Sequence, residues 1–350
     1  MGVLSGMARM PAAVGRRAFP AARTRGALVA LGLLGDQLLG EVPAPVHPVA
    51  LFGSAMQRME RVLWRDSVPA GVLYAALGTG AGVLGGAFGG STAAVTWICS
   101  AQRCLAESAS AVAAALGRGD LERARALLPA LVGRDPEDLD SGEIARAVVE
   151  SVAENTVDAV VAPALWAFAG GAAGAGGHRA LNTLDSMVGH RSLRYGRFGR
   201  ASARFDDVAA WVPARVTAAL VVLVRPWRVA RIVSAVRHQA PMHPSPNAGV
   251  AEAAFAAALG VRLGGVNRYP EGVRDGPVLG WGRPADWTDV ERAVRLSGHV
   301  TAALAALLVF PWVAWLVARL VRSMTRPPGR AASDRDPTAG SGPGTERSPR

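Results

Sequence analysis

Residues 67–102 read SVPAGVLYAALGTGAGVLGGAFGGSTAAVTWICSAQ, thirty-six consecutive positions without a charge. A helix that crosses the hydrocarbon core of a bilayer needs ~20 predominantly apolar residues. The stretch is therefore long enough for one tilted span, or for two short ones broken at its glycines. Glycine at this density weakens a helix in water, whereas small residues let helices approach closely in lipid. Residues 298–318, GHVTAALAALLVFPWVAWLVA, predict a second span. Arg319 and Arg322 close it, and Trp312 and Trp315 stand where interface anchors belong.

Three further apolar segments each carry an ionisable group: 26–40 with Asp36, 157–177 beginning at Asp158, and 208–224 with Arg215. A charge inside a span is costly and points to a functional cavity; the alternative is a segment at the interface or inside protein. The first 25 residues hold Arg9, Arg16, Arg17, Arg23 and Arg25 and no acid, which predicts a cytoplasmic basic tail. Residues 321–350, rich in Pro, Gly, Ser and charge, are expected to be disordered.

The composition agrees. Of 350 residues, 50% are hydrophobic and 19% charged, and 41 are glycine, which excludes a largely disordered chain. The net charge is +11, and all 38 basic residues are arginine. Schiff-base and P-loop lysine chemistry are thereby excluded, and any cation gripping an anion is a planar, bidentate guanidinium. Cys99 and Cys104 have neither disulfide nor zinc spacing and read as packing residues. No strand-period alternation is sustained and no repeat is evident. The predicted fold is all-α: a multi-pass helical membrane protein, embedded over 26–320, with sizeable polar helical and loop segments between its spans.

Those polar segments hold the candidate chemistry. Glu150, Glu154 and Asp158 stand at i, i+4 and i+8 and share one helix face, with Asn155 beside them. Like charges at this spacing repel. A solvated acidic face is one reading. The other is a Mg²⁺–nucleotide site, with Glu154 and Asp158 as metal ligands and phosphates completing the shell. Downstream, Arg191, Arg194, Arg197, Arg200 and Arg204 recur every three or four residues, bracketed by Asn182 and Asp185 before and Asp206 and Asp207 after. A guanidinium stripe suits phosphate or carboxylate recognition, or else anionic lipid. The flanking acids favour the former. His178 and His190 lack metal-ligand spacing and read as structural or surface residues. Asn247 caps a helix carrying Glu252, and Gly264-Gly265 leads into Asn267. Asp36, Glu41 and His47 cluster around prolines in a loop that would line a site.

Four pieces in this order resemble one family, the adenosylcobinamide-phosphate synthases of cobalamin biosynthesis (CobD/CbiB): GDQLLGEVPAPVHPVALFG, ESVAENTVDAVVAPALWA, RALNTLDSMVGHRSLRYGRFGRASARFDDVAAWVPARVTA and SPNAGVAEAAFAAALGVRLGG. The resemblance spans roughly 26–320. It implies a multi-pass cell-membrane enzyme that joins a propionate carboxylate of (adenosyl)cobyric acid to the amine of aminopropanol or its phosphate, with ATP as driver and Mg²⁺ as metal. No permanently bound cofactor is expected. The partners implied are the corrinoid, the amino alcohol, the bilayer and other corrinoid-assembly membrane enzymes, and no nucleic acid.

Such a reaction needs an activated carboxylate, most simply an acyl phosphate, and an amine stripped of a proton. The residues proposed for it are Glu154, Asp158, Asp185, Asp206 and Asp207 for catalysis. Asp36, His47, Asn155, Asn182, Arg191, Arg194, Arg204, Asn247 and Asn267 are proposed for substrate binding. A corrinoid or anion transporter and a non-catalytic scaffold remain the alternatives.

Overall fold

The computed structural model describes residues 12–190, 192–269 and 272–324. The chain runs through α1 (Ala12–Leu39), α2 (Pro48–Leu63), α3 (Val68–Phe88), α4 (Thr92–Cys99), α5 (Gln102–Gly117), α6 (Leu121–Leu127), α7 (Ser141–Thr156) and α8 (Ala162–Val188). Then follow α9 (Arg200–Ala209), α10 (Trp211–Val224), α11 (Val229–His238), α12 (Ala248–Leu259), strands β1 (Val261–Tyr269), β2 (Gly272–Leu279) and β3 (Arg283–Pro284), and α13 (Trp287–Met324).

Three helical stretches are long and apolar enough to cross a membrane: Val68–Phe88, Ser141–Val188 and Trp287–Arg319. The pair α9 and α10, bent by 42°, makes a fourth if taken as one span. The uncharged stretch thus resolves into one span, α3, followed by the short α4. The basic residues from position 12 onward are continuous with α1. The rest of the basic tail, and the polar tail beyond Met324, lie outside the described residues.

The 141–188 stretch is not one regular helix. Asp140 and Glu143 close a capping box at the start of α7. Residues Val157–Val161 form a turn of π-helix between α7 and α8. Pro163 follows, and a proline cannot bond the carbonyl four residues back. That carbonyl, on Ala159, accepts the Ala101 N–H at 3.1 Å instead, which ties the break to the start of α5. Gly171, at φ 66°, kinks α8 once more.

α3 lies along α8, and α1 packs on α4 and α13. The contact between α3 and α8 depends on missing side chains. A Cβ on Gly82 would fall 2.3 Å from the Ala180 Cβ and 2.6 Å from the Gly176 carbonyl oxygen. α12 touches α7, α10, α11 and α13 and is buried at every position from Gly249 to Leu259. A helix apolar all round must be enclosed in this way, which makes Glu252, at its centre, conspicuous.

A small three-stranded sheet stands beside the helices, although the sequence sustains no strand-period alternation. β1 pairs antiparallel with β2, and Val261 and Arg262 pair with Arg283 and Pro284 of β3. Alternation is visible only at its start, where Val261 and Leu263 are buried and Arg262 is exposed. Gly264 and Gly265, both at positive φ, then form a bulge that breaks the two-residue period.

Gly82→Val should lower the melting temperature of the detergent-purified protein by several degrees. Gly80→Ala, where a Cβ meets nothing within 4 Å, should be neutral or stabilise by up to ~1 kcal/mol. Equal melting temperatures for the two variants would show that α3 does not depend on close approach.

Candidate functional site

The acid face of α7 meets α12 and the hairpin. Glu150 forms a buried ion pair with Arg134, and its other oxygen accepts the Gly264 N–H at 2.6 Å. Arg146, on the same helix, donates to the Gly264 and Val266 carbonyls. Helix, loop and hairpin are thus locked together around one carboxylate. Glu154 lies within electrostatic reach of Glu252, and both side chains line the same cavity. Burial, reinforced by Glu154 and Glu150, pushes the Glu252 carboxyl well above the usual carboxylate range. His243 Nε2 stands 3.6 Å from Glu252 Oε1. Burial lowers the imidazole below the ordinary histidine value, and its Nδ1 accepts the Ser245 N–H at 3.1 Å. The ring is then neutral at pH 7, and its Nδ1 also stands 3.2 Å from the Ser245 carbonyl oxygen, so either ring nitrogen can carry the proton.

A second group of acids adjoins the first. Past the π-turn, Asp158 lies within electrostatic reach of Glu154, Asp185 and Asp206, with Asn182 beside Asp158 and Asp206. Asp206 is only 8% exposed, and its Oδ1 has no partner. Asp207 lies within electrostatic reach of Asp185 and Asp206.

Two adjoining cavities reach these groups at Glu150, Glu154, Glu252 and Asp207. The larger, of about 910 Å³, is lined by His190, Arg200, Arg204 and Arg215 with Tyr195 and Asp207. The second, of about 740 Å³, is lined by Arg134, Glu150, Glu154, Glu252 and the hairpin residues Gly264 and Asp275. Ala203, Asp207, His243 and Pro244 line both. The site is thus two-lobed, cationic on one side and acidic on the other. Its size is that of a cavity for a large ligand.

The residues predicted from sequence are distributed as follows. Glu154, Arg204 and Asp207 line the cavities, and Asp158, Asn182, Asp185 and Asp206 form the adjoining acid group. Asn247 braces the wall: its Nδ2 donates to the Asp207 carbonyl at 2.8 Å and its Oδ1 accepts from Arg215 at 2.9 Å. The cap of α12 is made by Ser245 instead, whose Oγ accepts the Ala248 N–H. Asn155 bonds back to the Ser151 carbonyl at 2.9 Å, spending its amide on its own helix.

Arg194 lines neither cavity. It pairs with Glu60 at 2.9 Å, stacks over Trp64, and shares Glu60 with the Tyr195 hydroxyl. Arg191 lies outside the described residues. Asn267 sits on β1 opposite Arg274.

Asp36 and His47 lie away from both cavities. Asp36 is buried and accepts the Arg103 N–H at the start of α5. The His47 Nδ1 caps α2 by accepting the Val49 N–H at 3.2 Å. Arg179 is the link between this region and the acids, its charge being felt at both His47 and Asp158. His178 is buried and His190 is exposed.

The residues not predicted are Arg134, His243 and Glu252. A signal existed for Glu252, a single acid inside the apolar run AGVAEAAFAAALG. Among the described residues no three His, Cys, Asp or Glu side chains converge as a metal cage.

Helices long and apolar enough to span a membrane, beside a bipolar cavity with Glu150 and Glu154 on one of them, define a membrane-embedded helical protein. The comparisons give the family: residues 29–297 match the family described as CobD/Cbib protein, and the chain belongs to it. A cobalamin biosynthesis protein CobD of Mycobacterium tuberculosis H37Rv is 47% identical over 300 residues, covering 82% of this chain and 96% of its own length. Namesakes from Geobacter metallireducens (41% identical, 70% of this chain, 83% of theirs) and Brucella anthropi (36%, 81% and 95%) are also similar. No solved structure matches. The chain therefore takes part in cobalamin biosynthesis.

Arg134→Met leaves Glu150 buried without its cation and should destabilise the fold by ~3–5 kcal/mol. The double variant Arg134→Met/Glu150→Met should recover most of the loss. Thermal unfolding of the two variants in detergent measures this, and a double variant no better than the single would show that the pair is not coupled.

Proposed function

We propose that this protein is the adenosylcobinamide-phosphate synthase of its pathway, joining aminopropanol or its phosphate to a propionate carboxylate of (adenosyl)cobyric acid in an ATP-driven, amide-forming ligation. The observation that carries this reading is the two-lobed cavity. Amide formation brings together an anionic acyl donor and a cationic amine, which need surroundings of opposite charge that meet at one point. Arg200, Arg204 and Arg215 suit the carboxylates and phosphates of the substrates. The acids suit the amine and a divalent cation, and the lobes meet at Asp207 and His243.

The donor set fits Mg²⁺. This ion is bound by one or two carboxylates with phosphates and water completing an octahedron, so it does not need a dedicated protein cage. Glu154 and Asp158, hard oxygen donors on adjacent turns and both half-buried, would hold it. ATP supplies the phosphoryl group that activates the carboxylate. Arg204 and Arg200 orient and neutralise the anionic groups as charge builds. The wall of α12, Pro277 and Gly264 shields the junction from water. The proton lost by the attacking amine needs a base at the junction, and Asp207 and the neutral His243 both stand there.

The test uses detergent-purified protein with ATP, Mg²⁺, adenosylcobyric acid and aminopropanol or its phosphate. Corrinoid amide with stoichiometric ATP consumption is expected. Corrinoid flux into proteoliposomes without a new amide would instead make the protein a transporter, and neither result would leave a scaffold.

In the same assay Asp158→Asn should cut turnover at least ~100-fold and raise the Mg²⁺ requirement, with folded yield maintained. Arg204→Lys keeps the charge but loses the two-toothed contact. It should raise KM for the anionic substrates about tenfold. Arg194→Lys, at the Glu60 contact, should leave KM unchanged and lower the melting temperature.

A further inference from the structure

We infer that a third cavity, between α2, α3, α4 and the second half of α8, is a site for an anionic phospholipid, with one acyl chain lying along the glycines of α3 and the lipid phosphate held by Arg179. The site is separate from the two-lobed cavity and stands whether or not the ligation reading does.

The argument begins with an arginine that has no counterion. Arg179 lies in α8, within a stretch long and apolar enough to span a membrane. Among the described residues it forms no ion pair. Its Nε is buried and has no hydrogen-bond partner. Its charge is felt at Asp158 and His47, but no hydrogen bond or ion pair joins it to Asp158. An unmatched guanidinium in such a segment is costly and calls for an anion.

Arg179 lines a cavity of about 180 Å³, with Phe52, Val95, Ile98, Gly85 and Gly89 among its other walls. This is below the ~300–1,000 Å³ of pockets for drug-sized ligands, and it suits part of a hydrocarbon chain. The cavity is polar at one end only. α3 and α8 run antiparallel where they meet: Gly78 faces Leu184, Gly82 faces Gly176 and Ala180, and Gly86 faces Ala172. Arg179 and Thr183 therefore stand toward one end, with Pro48 and Val49 at the start of α2, whose dipole adds to the positive potential there. Gly86, Gly89 and Val95 stand toward the other. A cation followed by an apolar slot is complementary to a charged headgroup followed by its chain.

Gly85 separates this slot from ordinary helix packing. Gly82 and Gly86 are required by the approach of α8, since a Cβ on either would fall 2.3 Å from an atom of that helix. A Cβ on Gly85 would meet nothing within 4 Å, so no packed neighbour demands glycine there, although glycine weakens a helix by ~1 kcal/mol relative to alanine. Gly85 lines the cavity and is exposed, and a side chain on it would fill the slot. Leu84 and Phe88 beside it are exposed as well, so the slot opens on an apolar face of a helix long enough to span. The molecule that covers such a face in a bilayer is lipid. A zwitterionic lipid brings its own cation beside the phosphate and gains less from an unpaired guanidinium than an anionic one.

The experiment is native mass spectrometry of the full chain in detergent, without ATP or corrinoid. The probes are phosphatidylglycerol, phosphatidylcholine with the same acyl chains, and inorganic phosphate. The first phosphatidylglycerol should bind the wild type about tenfold or more tightly than phosphatidylcholine, a charge-assisted contact being worth at least that ratio. Arg179→Gln should remove this preference. Gly85→Leu should weaken binding of both phospholipids about tenfold, and it serves should Arg179→Gln fail to fold. Gly80→Leu, at a position that also meets nothing within 4 Å but lies off the cavity, should bind as the wild type does.

Equal wild-type affinity for the two phospholipids, or a preference retained in folded Arg179→Gln, overturns the headgroup contact and with it the site. Wild-type binding in Gly85→Leu, or equal weakening in Gly80→Leu, overturns the slot in favour of lipid held anywhere on α3. Inorganic phosphate bound as tightly as phosphatidylglycerol makes Arg179 a plain anion subsite and also overturns the proposal.

Discussion

Glu150 is the point on which the arrangement turns. A carboxylate at this depth is tolerated only when its charge and its lone pairs are met, and here both are: Arg134 answers the charge and the Gly264 amide takes the remaining oxygen. The two partners come from opposite sides, one from the loop before α7 and one from the bulge of β1. Satisfying one side chain therefore fixes the loop, the helix and the hairpin together. Arg146 repeats the attachment one helical turn away. The acidic lobe exists because these three pieces cannot drift apart, and Glu154 and Glu252 inherit their positions from it.

The cavity also explains the arginine usage of its wall. Arg215 is held by Asn247 and stacked on Trp211 at 4.4 Å, so its direction is set before any ligand arrives. Arg194, a member of the stripe, is spent on Glu60 instead, securing the 192–199 segment to α2. Position in a periodic stripe therefore does not decide the role of an arginine; what decides it is which acid reaches it first. In the larger lobe Asp207 is the only carboxylate among the lining residues, beside Arg200, Arg204 and Arg215.

This distinction marks how far the sequence could be read. Spans are legible because they depend on composition over ~20 residues, a local property. The acid group was largely legible too, since Glu154 with Asp158, and Asp206 with Asp207, are neighbours in sequence and only one helix turn or less apart. Glu252 was not, because its meaning comes from Glu154, about 100 residues away, and Arg134 and His243 were not, because their partners Glu150 and Glu252 lie in a different element with no periodic pattern to link them. The hairpin was hidden for a different reason: the two glycines that allow its bulge also erase the alternation that would announce it. Asp36 and His47 were misleading in the opposite sense, polar residues in an unusual Pro-rich motif whose visible tasks here are to cap helices.

The π-turn at Val157–Val161 bears on how this chain can vary. One extra residue in a helical turn advances everything downstream by about 100° and 1.5 Å. Asn182 and Asp185 face Asp158 and Asp206 only because the phase between α7 and α8 has been reset at that turn. Substitutions along the lipid-facing side leave this phase untouched, whereas gain or loss of a single residue between Glu154 and Asn182 would turn the acids to another side. The spacing between the carboxylates is therefore set by the geometry of that turn rather than by the identity of the residues between them.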